Sequence, residues 1–184
     1  MTNPKVRKTL ILLHLYFAAF MAPAFGLVAV SGGLYLLGNK GKVERVAIPL
    51  PAGISLDFKS GTLEADIREV MKSADIDQNF EYLKIRANQV QTRPTSKTYV
   101  EFKQSRHGLT ATRNSPNLQY AMMELHKGHG PKLFKTYQKL VALALLAVVL
   151  GGFFVGLLAK TYRKKVIVAS VVGFGVFLAL ALLA

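Results

Sequence analysis

Three apolar stretches, Thr9–Gly38, Leu140–Ala159 and Val166–Ala184, carry no Asp, Glu, Lys or Arg. An apolar run crosses a bilayer at roughly 20 residues, so each reaches or approaches the length of a span. The first is longer and must tilt or continue past the lipid. The charges divide on the same lines. All ten acidic residues lie between Glu44 and Glu124, and outside that stretch every charge is Lys or Arg. At 51% hydrophobic and 18% charged, the chain is therefore part membrane and part water-facing domain.

The net charge of +14 also divides by location. Seven cations, Lys5, Arg7, Lys8, Lys160, Arg163, Lys164 and Lys165, flank the apolar runs. The other seventeen lie between Lys40 and Lys139, among the ten acids, with no nucleic-acid-binding signature. A lipid bilayer with anionic headgroups, and no nucleic acid, is the partner this pattern implies. By the positive-inside rule the Lys5–Lys8 tail and the short Lys160–Lys165 loop are cytoplasmic. Lys40 and Lys42 oppose this, but the Arg163–Lys165 cluster is denser and its loop shorter. The first run also mimics a signal peptide, with Ala22-Pro23-Ala24 as cleavage site, yet its apolar character continues through Leu37, well past a signal core.

These readings give a basic tail at 1–8, a first span at 9–38 and a water-facing domain at 39–133 with an interfacial helix at 116–127. A second span at 134–159, a basic loop at 160–165 and a third span at 166–184 follow. Pro23 is expected to kink the first span. Ala18, Ala22 and Gly26, then Gly152 and Gly156, then Ala169 and Gly173, recur at four-residue spacing. Such small faces let helices approach closely, within one chain or across a homodimer.

Within the domain, Val43–Leu50 reads as a strand ended by prolines. Leu63, Ile67, Val70, Met71 and Ala74 share one face of a helix over 62–74, with Glu64 and Asp66 at its favourable N-terminal end. Alternation predicts strands around 83–87, 98–103 and 109–112, joined by turns at 93–96 and 105–108. Ser115 as N-cap and Pro116 at the first position open a further helix with Leu118, Ala121, Met122 and Leu125 as its stripe. The fold class expected is membrane α-helical, three spans, plus a small α+β extracytoplasmic domain with a helix packed on an antiparallel sheet.

On these residues the chain resembles the PepSY-associated transmembrane family of bacterial inner-membrane proteins. The resemblance is carried by the basic tail with His14 and Tyr16, by Ser31-Gly32-Gly33, and by Glu124-Leu-His-Lys-Gly-His-Gly-Pro131 followed by Leu133-Phe-Lys-Thr-Tyr-Gln-Lys139. It implies a PepSY-like periplasmic domain and an inner-membrane location, with an accessory link to iron uptake. No Asp-x-x-Thr-Gly turn stands near Gly108–Asn114, so no ligand contact of the family is carried over.

Two sets of residues carry candidate chemistry. His14 is the ionisable side chain inside an apolar run, about 8 Å into the first span at ~1.5 Å per residue. Larger relatives resemble haem-bearing ferric-siderophore reductases, which implies axial ligation of haem b at His14, with a neutral imidazole bonded to a neighbouring helix or the cytoplasmic interface as the alternative. A bis-histidine haem needs a second imidazole at that depth, available across a homodimer. Glu124, His126 and His129 crowd six residues and offer carboxylate and imidazole ligands to Zn²⁺ or a similar ion, with a polar interfacial turn as the alternative. With no cysteine, thiolate metal sites and iron–sulfur clusters are excluded. No catalytic triad or phosphate loop stands out, and the function expected is that of a non-enzymatic interaction or regulatory module.

Overall fold

The computed structural model describes residues 4–106 and 108–183. The first three residues of the basic tail, His107 of the expected turn and Ala184 of the third span lie outside them. The order is α1 (Pro4–Leu36), β1 (Val43–Ile48), α2 (Leu63–Ser73), β2 (Tyr82–Arg86), β3 (Gln89–Arg93), β4 (Tyr99–Ser105), β5 (Gly108–Pro116), α3 (Leu118–His126), α4 (Lys132–Leu158) and α5 (Arg163–Leu183). The chain forms two compact units, Met1–Ala24 with Lys139–Ala184, and Phe25–Gln138.

Among the described residues three helical stretches, Lys8–Leu36, Lys132–Leu158 and Arg163–Leu183, are long and apolar enough to cross a membrane. Almost none of their apolar surface is buried within the protein, a state lipid tolerates and water does not. Both glycines of α4's small face are used within the chain. A Cβ at Gly156 would meet Val166 Cγ2 of α5 at 2.7 Å, and one at Gly152 would meet His14 Cε1 of α1 at 3.1 Å. Gly26 and Gly173 have nothing comparable within 4 Å.

The second unit is built on one antiparallel sheet of order β1-β5-β4-β3-β2. Its register lines up Ile85, Val90, Phe102, Ala111 and Ile48 in a row across all five strands. Helix α2 covers that face with Leu63, Ile67, Val70 and Met71, all buried. Each such side chain contributes about 1.5–3 kcal/mol relative to exposure. Asp75, at φ 52, turns the chain out of α2 while the Ile76 N–H reaches the Met71 carbonyl at 2.8 Å. Alternation puts Tyr82, Arg93, Tyr99 and Asn114 on the opposite face, which α3 meets.

Two expectations are corrected. The strand β3 was not foreseen, because Gln89–Arg93 offers a single apolar residue, Val90. Its polar side chains are satisfied by neighbours instead: Thr92 Oγ1 accepts from the Val100 N–H at 2.9 Å and Gln91 donates to Glu101 at 2.7 Å. The interfacial helix does not begin at Ser115-Pro116. Those residues pair with Glu44 and Val43 of β1, and Asn117 is the N-cap, its Oδ1 accepting from the Tyr120 N–H at 3.0 Å. The helix is rotated accordingly: it buries Met123 and Glu124, while Leu118 is 77% exposed.

Candidate functional site

The polar centre of the second unit is Glu124. It is 5% exposed, facing Arg93 at 4% and Thr95 at 2%. Arg93 Nη1 donates to Thr95 Oγ1 at 2.7 Å, and that hydroxyl donates to Glu124 Oε2 at 2.5 Å. Arg93 Nη1 itself lies 3.6 Å from the same carboxylate oxygen. Lys127 Nζ approaches Oε1 at 3.7 Å from the surface. Arg93 ends β3, directly before a cis Arg93–Pro94 bond, and Thr95 follows it. The end of β3 thus aims a guanidinium and a hydroxyl at one point on α3.

Gly128 brings His129 into the same cluster. It adopts φ +76 just past the end of α3, a conformation that glycine takes without steric cost. The Gly128 N–H bonds the Leu125 carbonyl at 3.0 Å, and the His129 N–H returns to the Glu124 carbonyl at 2.8 Å. The chain reverses, and His129 Nδ1 comes to 2.7 Å from Glu124 Oε2. His126, still helical, points elsewhere, its Nδ1 lying 3.0 Å from Ser31 Oγ of α1. Ser31 is 1% exposed, so this contact is enclosed.

The structure thus brings together Glu124 and His129 of the expected ligand set and separates His126 from them. Among the described residues no group of three or more His, Cys, Asp or Glu is placed to hold a metal ion. The carboxylate is surrounded by an arginine, a lysine and a hydroxyl donor, and these cations oppose a further divalent charge. Arg93, Thr95 and Ser31 were missed by sequence reasoning. Ser31 stood out only within Ser31-Gly32-Gly33 and the other two only within a turn, and no local pattern joins them to Glu124 or His126, since their partners stand 29 to 95 residues away.

Tyr99, 5% exposed, borders the cluster. Burial pushes its phenol well above the ordinary tyrosine range, and the neighbouring Tyr120, with which it shares a hydrogen bond, adds to the shift. The sign follows: the folded state holds this proton more tightly than the unfolded chain, so the contribution is whole below about pH 10 and is lost above it.

His14 lies in the first unit, against Gly152, and its Nδ1 is enclosed with no hydrogen-bond partner. It is the one histidine of that unit. The residues therefore supply a single imidazole toward a haem, not the pair that bis-histidine ligation needs within one chain.

No family model, curated protein or solved structure matches this chain.

Proposed function

We propose that this is an integral inner-membrane protein whose PepSY-like domain, on the periplasmic side, works as a non-enzymatic interaction or regulatory module. The observation that carries the reading is that α3 is held on two sides at once. His126 bonds Ser31 near the end of α1, and two residues earlier Glu124 bonds Thr95 and pairs with Arg93 at the end of β3. A helix fixed to both the sheet and a spanning helix suits a device that passes a binding event at the domain to the membrane. An open cleft of about 480 Å³ beside Asp77–Asn79, lined also by Lys97, Thr98, Arg113 and Ser115, offers a partner a polar surface.

The natural absence of cysteine makes the test clean. In intact cells a Lys97→Cys variant is expected to react with a membrane-impermeant maleimide, and Tyr162→Cys only after permeabilisation. A benzophenone carried on position 97 is expected to give one discrete heavier adduct on illumination. Reversed labelling would overturn the orientation; absence of any adduct, from position 97 and from an Asp75→Cys variant alike, would overturn the interaction reading.

A second reading, a haem-binding accessory subunit of a ferric-siderophore or metal reductase system, is favoured by the enclosed, unpaired Nδ1 of His14. Haem would then lie between the His14 residues of two copies. A protein purified from haem-replete cells should show a Soret band that His14→Ala abolishes. A colourless preparation removes this reading.

A further inference from the structure

At the end of α1 two ammonium groups gather around one aromatic ring. Lys40 Nζ lies 5.5 Å from the centroid of Tyr35 and Lys127 Nζ lies 5.8 Å from it. The three residues come from the last turn of α1, the link to β1 and the C-cap of α3, so the fold brings them together. Each cation gains from the ring face, but the two repel one another. Lys40 has no carboxylate partner among the described residues, and the one carboxylate near Lys127, Glu124, already serves Arg93, Thr95 and His129. The cluster is left net positive, with the exposed edge of Tyr35 beside it.

The surroundings say what covers it. Tyr35 stands at the end of a helix long and apolar enough to cross a membrane. The next two residues, Leu36 and Leu37, are 86% and 83% exposed, and Leu133 in the first turn of α4 is 83% exposed. Leucines this bare belong in lipid, and tyrosine with lysine marks the headgroup level. From this position and charge we infer that Tyr35, Lys40 and Lys127 form a binding site for the phosphate of an anionic phospholipid. The inference rests on the chain being embedded, not on the side the domain faces or on what the domain binds.

The test uses the full chain in mild detergent, with phosphatidylglycerol or phosphatidylcholine added and bound lipid counted by native mass spectrometry. Phosphatidylglycerol should be retained in preference to phosphatidylcholine. Lys40→Gln should weaken that retention about fivefold, the size expected for one lysine near a lipid surface. Lys127→Gln should do the same, but it also touches Glu124, so Lys40→Gln is the deciding variant. Lys59→Gln, an equal loss of charge away from the site, should leave retention unchanged. Equal retention of the two lipids, or an equal loss from Lys59→Gln, would overturn the site. Displacement of the lipid by millimolar inorganic phosphate would assign the pocket to free phosphate and overturn the lipid assignment.

Discussion

Glu124→Ala is expected to destabilise the sheet domain by about 3–5 kcal/mol, the cost of leaving one partner of a buried pair uncompensated. The reason lies in what remains. Arg93 is 4% exposed, and its Nε already has no hydrogen-bond partner. Without Glu124 its charge would keep only two neutral acceptors, the Thr95 hydroxyl and, at 3.4 Å, Gln91 Oε1, and the domain must open to hydrate it. Glu124→Gln keeps an acceptor for Thr95 but removes the charge, and should cost less, about 1–3 kcal/mol. The double variant Arg93→Met with Glu124→Leu removes both charges together and should recover most of the loss, since well-packed apolar residues often replace a buried pair without penalty. Denaturant melts of the full chain in detergent, with hydrogen exchange read at β3 and α3, separate the three. A loss below about 1 kcal/mol for Glu124→Ala would mean that Arg93 finds water without unfolding, and the clamp on α3 would fall with it.

The fate of Glu124 also shows where sequence legibility stops. The helix α2 was readable because its information is local: Leu63, Ile67, Val70 and Met71 recur at helical spacing and all four are buried. The three long apolar helices were readable from length and charge alone, and their extents match those expected within a few residues. The strand β3 was not, because its polar side chains are satisfied by β4, and partners in a different strand leave no local periodicity. The start of α3 failed for a different reason. Ser115-Pro116 is a sound helix opening by local rules, but Glu44 and Val43 of β1 pair with it at the end of a six-residue ladder, and pairing prevailed. Glu124, His126 and His129 looked like a ligand set because sequence shows spacing but not the αL turn at Gly128, nor the arginine 31 residues earlier that claims the carboxylate. The small face of α4 was legible as a place of close approach. That His14 would be the group resting on Gly152 was not.

Gly41→Ala is the second large effect expected, and it acts where α1 is joined to the sheet. Gly41 sits at φ +76, a conformation that costs an L-residue about 1–2 kcal/mol. Space is the greater difficulty. A Cβ there would stand 2.5 Å from the Tyr120 N and 2.8 Å from its Cα, with Asn117 Oδ1 at 2.9 Å. Two of these three atoms are backbone at the start of α3 and cannot swing aside as a long side chain would. They are also held in place, since Asn117 Oδ1 accepts from both Tyr120 N–H and Lys42 N–H, and the Asn117 N–H bonds the Lys42 carbonyl at 2.9 Å. Adding about 1–3 kcal/mol for overpacking, the substitution should cost roughly 2–5 kcal/mol. Gly38→Ala serves as the control. It shares the positive φ, at 84°, but has nothing within 4 Å of the new methyl group, so it should cost only the backbone share, about 1–2 kcal/mol. Melts of the two variants in the same detergent measure the difference. If they fall together, the close approach of α3 to the α1–β1 link carries no energy, and α3 would lose its place as the element that ties the sheet to the end of α1.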